Sequence, residues 1–216
     1  MDIRLATVVL LAAISGGTLY AAEKTPVDVY VNDHDDTSEL LGPGRVLASA
    51  IFDQIGVRLI WHRGKLSAEM SAGRTDTSRP VFGIRTVEHR LESAAPGALA
   101  SARIVGSSGT EIIAYKDRLG RFLADSGSLS REAAGYVLAH ELAHVMQGVA
   151  RHSESGIMRA IWSREDCDAM ASHQLAFTRM DIELIHQGLA EQRAGRASEP
   201  AIMVERFRPE VLNIVK

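Results

Sequence analysis

The run SREAAGYVLAHELAHVMQG, Ser130 to Gly148, is the stretch from which the rest of the chain is read. Ala133, Ala134, Tyr136, Val137, Leu138, Leu142, Val145 and Met146 recur at helical spacing, Ser130 stands at an N-cap position, and Gly148 offers a stop. Inside this helix lies His140-Glu141-Leu142-Ala143-His144. At about 3.6 residues per turn, residues four apart stand one above the other, so both imidazoles can reach a single metal ion with Glu141 beside them. With 8 histidines in 216 residues, chance occurrences of that word number on the order of 0.02 per chain. The alternative is a core helix whose two histidines merely pack or bond to neighbours.

Outward from this helix the pattern changes with direction. Upstream, Val27 to Val31, Val57 to Trp61, Val81 to Val87 and Glu111 to Tyr115 read as strands, with a shorter one at Ala102 to Val105. Leu40 to Ile55 carries Val46, Leu47, Ala50, Ile51 and Ile55 at helical spacing and is closed by Gly56. Downstream, Arg164 to Ala176 and Thr178 to Ala194 read as helices with Ser163 and Thr178 as N-caps. Arg63 to Pro80 reads as an exposed loop. The acidic turn at Asp33, Asp35 and Thr37 lacks the glycine and distal glutamate of a calcium loop, so a solvated turn is expected. Strands before the central helix and helices after it make an α+β class, a small mixed sheet packed on that helix with a helical C-terminal part. There is no internal repeat.

The N-terminal 22 residues have the layout of a secretory signal peptide: Arg4, an apolar heart from Leu5 to Ile14, and a small-residue exit at Tyr20-Ala21-Ala22. An exported mature chain, periplasmic or extracellular, is expected. The alternative is an uncleaved membrane anchor, because Asp2 offsets Arg4 and the charge-free stretch approaches the roughly 18 residues of a span. Residues 23–194 suit one domain, and 195–216 form a C-terminal tail in which Gly195 to Pro200 loosens the chain and Ala201 to Lys216 is apolar and basic. A net charge of -3 without a long basic run removes the electrostatic footprint of a nucleic-acid binder. Cys167 is the only cysteine, so no intramolecular disulfide can form, and it reads as a small buried hydrophobe.

Two neutral imidazoles need at least one further protein ligand to hold a catalytic metal, and such a site leaves a position for water. Zinc brings that water's pKa toward 7, and a neighbouring carboxylate can take its proton and later return it to a leaving amine. Glu141 is the candidate general base. One catalytic Zn²⁺ is the expected cofactor.

The stretch from His140 to His152 resembles the metal-binding segment of the metzincin branch of zincin metallopeptidases. The resemblance implies that Gly148 breaks the helix, that His152 is the third metal ligand beside His140 and His144, and that Ser153 with Gly156-Ile157-Met158 forms a supporting methionine turn. The interval departs from the family's, being longer by one residue on each side of Gly148, and Ala150 occupies the usual third-ligand position. A related glutamate-liganded branch implies an alternative, with Glu165 or Asp166 as third ligand; both also suit the first turn of a helix, where acids face the dipole favourably.

His62, His89, His173 and His186 have no ligand spacing. Tyr115 and His173 are candidates for stabilising an oxyanion. The resemblance implies a zincin-like fold and an exported zinc metallopeptidase acting on a peptide or protein substrate, with strand Glu111 to Tyr115 at the cleft rim pairing with it. The competing functions are a zinc hydrolase of a non-peptide amide and an inactive binding module of the same fold. Glu141 argues against the last, since a retired site needs no base.

Overall fold

The computed structural model describes residues 23–32, 41–66, 79–92, 94, 98–104 and 110–194. The signal-like segment, the acidic turn, most of the polar loop and the C-terminal tail lie outside them. The chain is α+β. Strands β1 (Thr25–Val31), β2 (Val57–Arg63), β3 (Val81–Val87), β4 (Ala100–Ile104) and β5 (Thr110–Tyr115) form one sheet in the order β2-β1-β3-β5-β4. β2, β1, β3 and β5 run parallel to one another, and β4 runs antiparallel to β5.

Alternation builds the inner face. Val27, Val29 and Val31 of β1 stand in register with Leu59 of β2 and with Phe82 and Ile84 of β3, and all are buried. Ile112 and Ala114 of β5 and Ala100 of β4 continue that face. Each buried branched side chain contributes about 1.5–3 kcal/mol by leaving water.

Helix α1 (Arg45–Gln54) follows a 3-10 turn at Gly42–Gly44 and buries Ala48, Ile51 and Phe52. Val46 was expected on its apolar face and is instead 80% exposed. Helix α2 (Lys116–Asp125) has no counterpart in the sequence reading, although Leu119, Phe122 and Leu123 supply its buried stripe. Helix α3 (Ser130–Gln147) is the central helix; Ser130 is its first residue and not its cap, because a 3-10 turn at Gly127–Leu129 leads straight into it. Helix α4 (Arg164–Ala171) is shorter than expected: His173 adopts φ 56, and the amides of Gln174 and Leu175 turn back onto the Ala169 carbonyl. Helix α5 (Arg179–Arg193) crosses α3 closely at Gly188, where a Cβ would lie 2.1 Å from the Met146 carbonyl oxygen. Ser163 and Thr178 both cap as expected, each with a capping box completed by Asp166 and Asp181.

One hydrophobic cluster joins the inner sheet face to all five helices. On the other face, Ile113, Tyr115 and Ala98 form a separate small cluster. Among the described residues, no helix is long and apolar enough to cross a membrane.

Candidate metal centre

Helix α3 runs through the core, so every residue from Ala133 to Gln147 is buried except Glu141, which is half-buried. This explains its lack of an amphipathic stripe: it is covered on nearly all sides. His140 and His144 project from one face, and their Nε2 atoms lie 2.9 Å apart. The helix ends at Gly148 in the left-handed region (φ 66), whose N–H donates to the His144 carbonyl at 3.1 Å. The chain then reverses and brings the His152 ring centroid to 5.3 Å from that of His140 and 4.9 Å from that of His144. The longer interval on either side of Gly148 therefore still closes, and Ala150 stays exposed.

One ligand nitrogen from each of His140, His144 and His152 lies within 4.8 Å of the others, close enough to bind one metal ion. The donor set fits zinc, which takes three imidazoles and leaves a fourth position open in catalytic sites. The support around His140 fits as well. Its Nδ1 lies 2.8 Å from the Ile157 carbonyl, a partner that needs an N–H there and so leaves Nε2 with its lone pair toward the cluster. The same carbonyl accepts from Trp162 Nε1 at 3.2 Å, and the Trp162 ring meets His140 edge-on at 5.8 Å. Ile157 and the fully buried Met158 belong to a tight turn closed by Ser153 N–H donating to the Met158 carbonyl at 2.8 Å.

Burial holds both core histidines neutral. It lowers His140 to about 4, against a smaller upward pull from the Ile157 carbonyl. His144 is lowered well below the usual histidine range by burial first and then by its two histidine neighbours. Neutral imidazole is the ligand form. Glu141 lines a narrow crevice with Leu99, Ala100, Ala114, Leu119, Val137 and Leu138. That apolar setting pushes its carboxyl up to about 8, giving it a high affinity for a proton.

The remaining candidates are placed elsewhere. Asp166 Oδ2 accepts from the Ser163 amide and from Arg159, and Glu165 accepts from the Ser163 hydroxyl, so both serve the start of α4. His62 bonds Asp28 and stacks on Tyr30, His186 bonds the Ile55 carbonyl, and exposed His89 lies 3.8 Å from Asp117. His173 faces Glu132 at 3.9 Å, nine residues before Glu141 and roughly 13 Å along α3, too far to aid chemistry there. Tyr115 lies on the sheet face with Ile113 and donates its hydroxyl to Ser101 at 2.6 Å; burial first, and the Glu141 charge among the smaller causes, push that hydroxyl's pKa up. Cys167 is half-buried with a thiol pushed up by burial. Strand β5 is not a rim: it is paired on both sides, with β3 and β4, and β4 holds the sheet edge. Sequence reasoning placed Ile157 in the supporting turn without foreseeing the part of its carbonyl, and missed Asp181 and Trp162; only the Thr178-x-x-Asp181 capping pattern offered a local signal.

Comparison with family models, with curated proteins and with solved structures finds no match to this chain.

Proposed function

We propose that this protein is an exported zinc-dependent metallopeptidase of zincin type, metzincin-like in its third ligand, with His140, His144 and His152 holding one zinc ion and Glu141 acting as general base. The observation that carries this reading is the convergence of three imidazoles, two of them from the helix that also carries Glu141. Zinc, when bound, supplies Lewis acidity that polarises a substrate carbonyl and acidifies water. Glu141 takes the proton from the attacking water and delivers it to the departing amine, so that one group serves as base and then acid. The positive charge expected among the imidazoles draws the carboxyl's proton affinity back down toward the working range. The Ile157 carbonyl keeps His140 in the tautomer and orientation that binding requires.

An extended peptide suits the sheet edge: among the described residues β4 pairs on one side only, and Leu99 with Ala100 at its start lines the same crevice as Glu141. The apolar run Leu5 to Ile14 supports export. The test is metal analysis of the purified protein together with a broad peptide-library assay on wild type and Glu141→Gln. About one zinc per chain is expected. The variant is expected to keep zinc and lose at least about 10²-fold in cleavage rate. No zinc after reconstitution near neutral pH, or equal rates for both proteins, overturns the reading.

A further inference from the structure

Asp181 is a fully buried carboxylate outside the three-histidine cluster. Its two oxygens are divided between two elements. Oδ2 completes the capping box of α5, accepting from the Thr178 amide at 3.0 Å and the Thr178 hydroxyl at 2.6 Å. A capping box needs no more than this. Oδ1 turns to the loop that follows α3, accepting from Arg151 Nη1 at 2.9 Å and from Ser153 Oγ at 2.5 Å. Arg151 and Ser153 flank His152 on either side. The end of α3 is tied to the same residue, since Gln147 Nε2 donates to the Asp181 backbone carbonyl at 3.4 Å.

The division has a physical cause. A buried carboxylate is costly unless its lone pairs are filled by donors, and charge-assisted bonds to it are the strong ones. Burial pushes the Asp181 carboxyl up, yet bonds from Ser153, Thr178 and Arg151 outweigh it and hold the group below the usual carboxylate range. Moving Arg151 and Ser153 away would strip Oδ1 of both donors, so the loop is fixed at the two residues bracketing His152. His152 itself is half-buried and lies beyond the helix that sets the other two histidines, in the loop these bonds hold.

We infer that Asp181 is the positioning residue for the third ligand, joining α5 to the His152 loop through Ser153 and Arg151 so that the three imidazoles converge before a metal arrives. This role rests on the metal-site reading given above. It separates two functions of one side chain: the Oδ2 bonds stabilise α5, while the Oδ1 bonds set metal affinity. Partners that orient metal ligands are worth about 10–100-fold in affinity when removed.

The test compares wild type with Ser153→Ala, Asp181→Asn and Thr178→Ala in the full chain. Zinc affinity is read by competition with a chelator, the visible spectrum of the cobalt-substituted protein reports coordination geometry, and Tm reports folding. Ser153→Ala keeps the Asp181 charge and the capping box, and is expected to weaken zinc about 10-fold and to lower the intensity of the cobalt bands with little change in Tm. Asp181→Asn is expected to weaken zinc at least as much. Thr178→Ala is expected to lower Tm while leaving zinc affinity and the cobalt spectrum as in wild type. If Asp181→Asn does not fold, Ser153→Ala against Thr178→Ala decides alone. Unchanged affinity and spectrum in Ser153→Ala, or equal weakening in Thr178→Ala, overturns the positioning role while the metal site stands. Failure of the wild type to bind either metal overturns the metal-site reading and this role together.

Discussion

At the scale of single residues, the third ligand is where two possibilities met. Imidazole and carboxylate are both competent zinc ligands, but Asp166 is occupied by the Ser163 amide and Arg159, whereas His152 stands against His140 and His144. His152→Ala is therefore expected to lose zinc at concentrations that saturate wild type, as read by metal analysis after dialysis. Asp166→Ala is expected to keep zinc and to cost about 1 kcal/mol of stability through the lost cap, and Glu165→Ala to change neither. Zinc retained in His152→Ala but lost in Glu165→Ala or Asp166→Ala would contradict the assignment. The same histidines give a pH dependence. His140 and His144 have folded pKa values below the ordinary value near 6.5, so the unfolded chain takes up their protons first as pH falls. Their contribution to stability is full above about 6.5 and is lost progressively toward about 4, the folded value of His140. Asp181, also depressed, adds a loss in the same direction as pH falls through its own folded value. Glu141 opposes this, because its folded value of about 8 lies above the ordinary 4.5 and its contribution to stability grows as pH falls between them. In metal-stripped Glu141→Gln, where that opposing titration is gone, Tm should decline from pH 7 to 4.5 by calorimetry; a flat profile there would remove buried neutral histidine as the cause.

At the scale of elements, two glycines end or turn the chain around the site and differ in what surrounds them. Gly148 has φ 66 and open space where a Cβ would stand, so Gly148→Ala bears only the left-handed backbone cost, about 1–2 kcal/mol, and should keep zinc. Gly156 has φ 76, and a Cβ there would lie 2.4 Å from the Ala176 carbonyl oxygen. Gly156→Ala must move the turn that carries Ile157, whose carbonyl orients His140. It is expected to cost about 3 kcal/mol or more and also to weaken zinc. Denaturant unfolding and chelator competition on the pair check this, and equal zinc affinity in both variants would show that the turn does not set the metal site.

At the scale of the whole molecule, the three imidazoles come from a helix and from a loop pinned to a different helix, so a metal held by all three would couple its binding to folding. A ligand that binds only the folded state stabilises by about 2.7 kcal/mol at a hundred times its Kd. For a domain of this size that is a rise in Tm of about 5–10 °C on adding zinc. The rise should vanish in His152→Ala, measured by differential scanning fluorimetry; an equal rise in both would place the stabilising zinc elsewhere.

What the sequence determined by itself is what local periodicity encodes. Helix α3, its stop at Gly148, the two caps at Ser163 and Thr178, and strand β3 from Val81 to Val87 are all legible, because side-chain spacing, left-handed backbone and capping geometry are properties of neighbours along the chain. His140, Glu141 and His144 were legible for the same reason, being one turn of one helix. Tertiary structure decided the rest. Sheet order depends on pairing between distant segments, so it alone places β4 at the edge and β5 inside. It makes Val46 exposed despite its helical spacing, and it cuts α4 at Ala171. His152 was expected beside the other two histidines from the resemblance and not from periodicity, whereas the bond from Ser153 to Asp181 across 28 positions of sequence arises only when α5 packs on α3. No spacing rule reaches that far, since the free energy holding those groups together comes from burial shared among elements and not from any one of them.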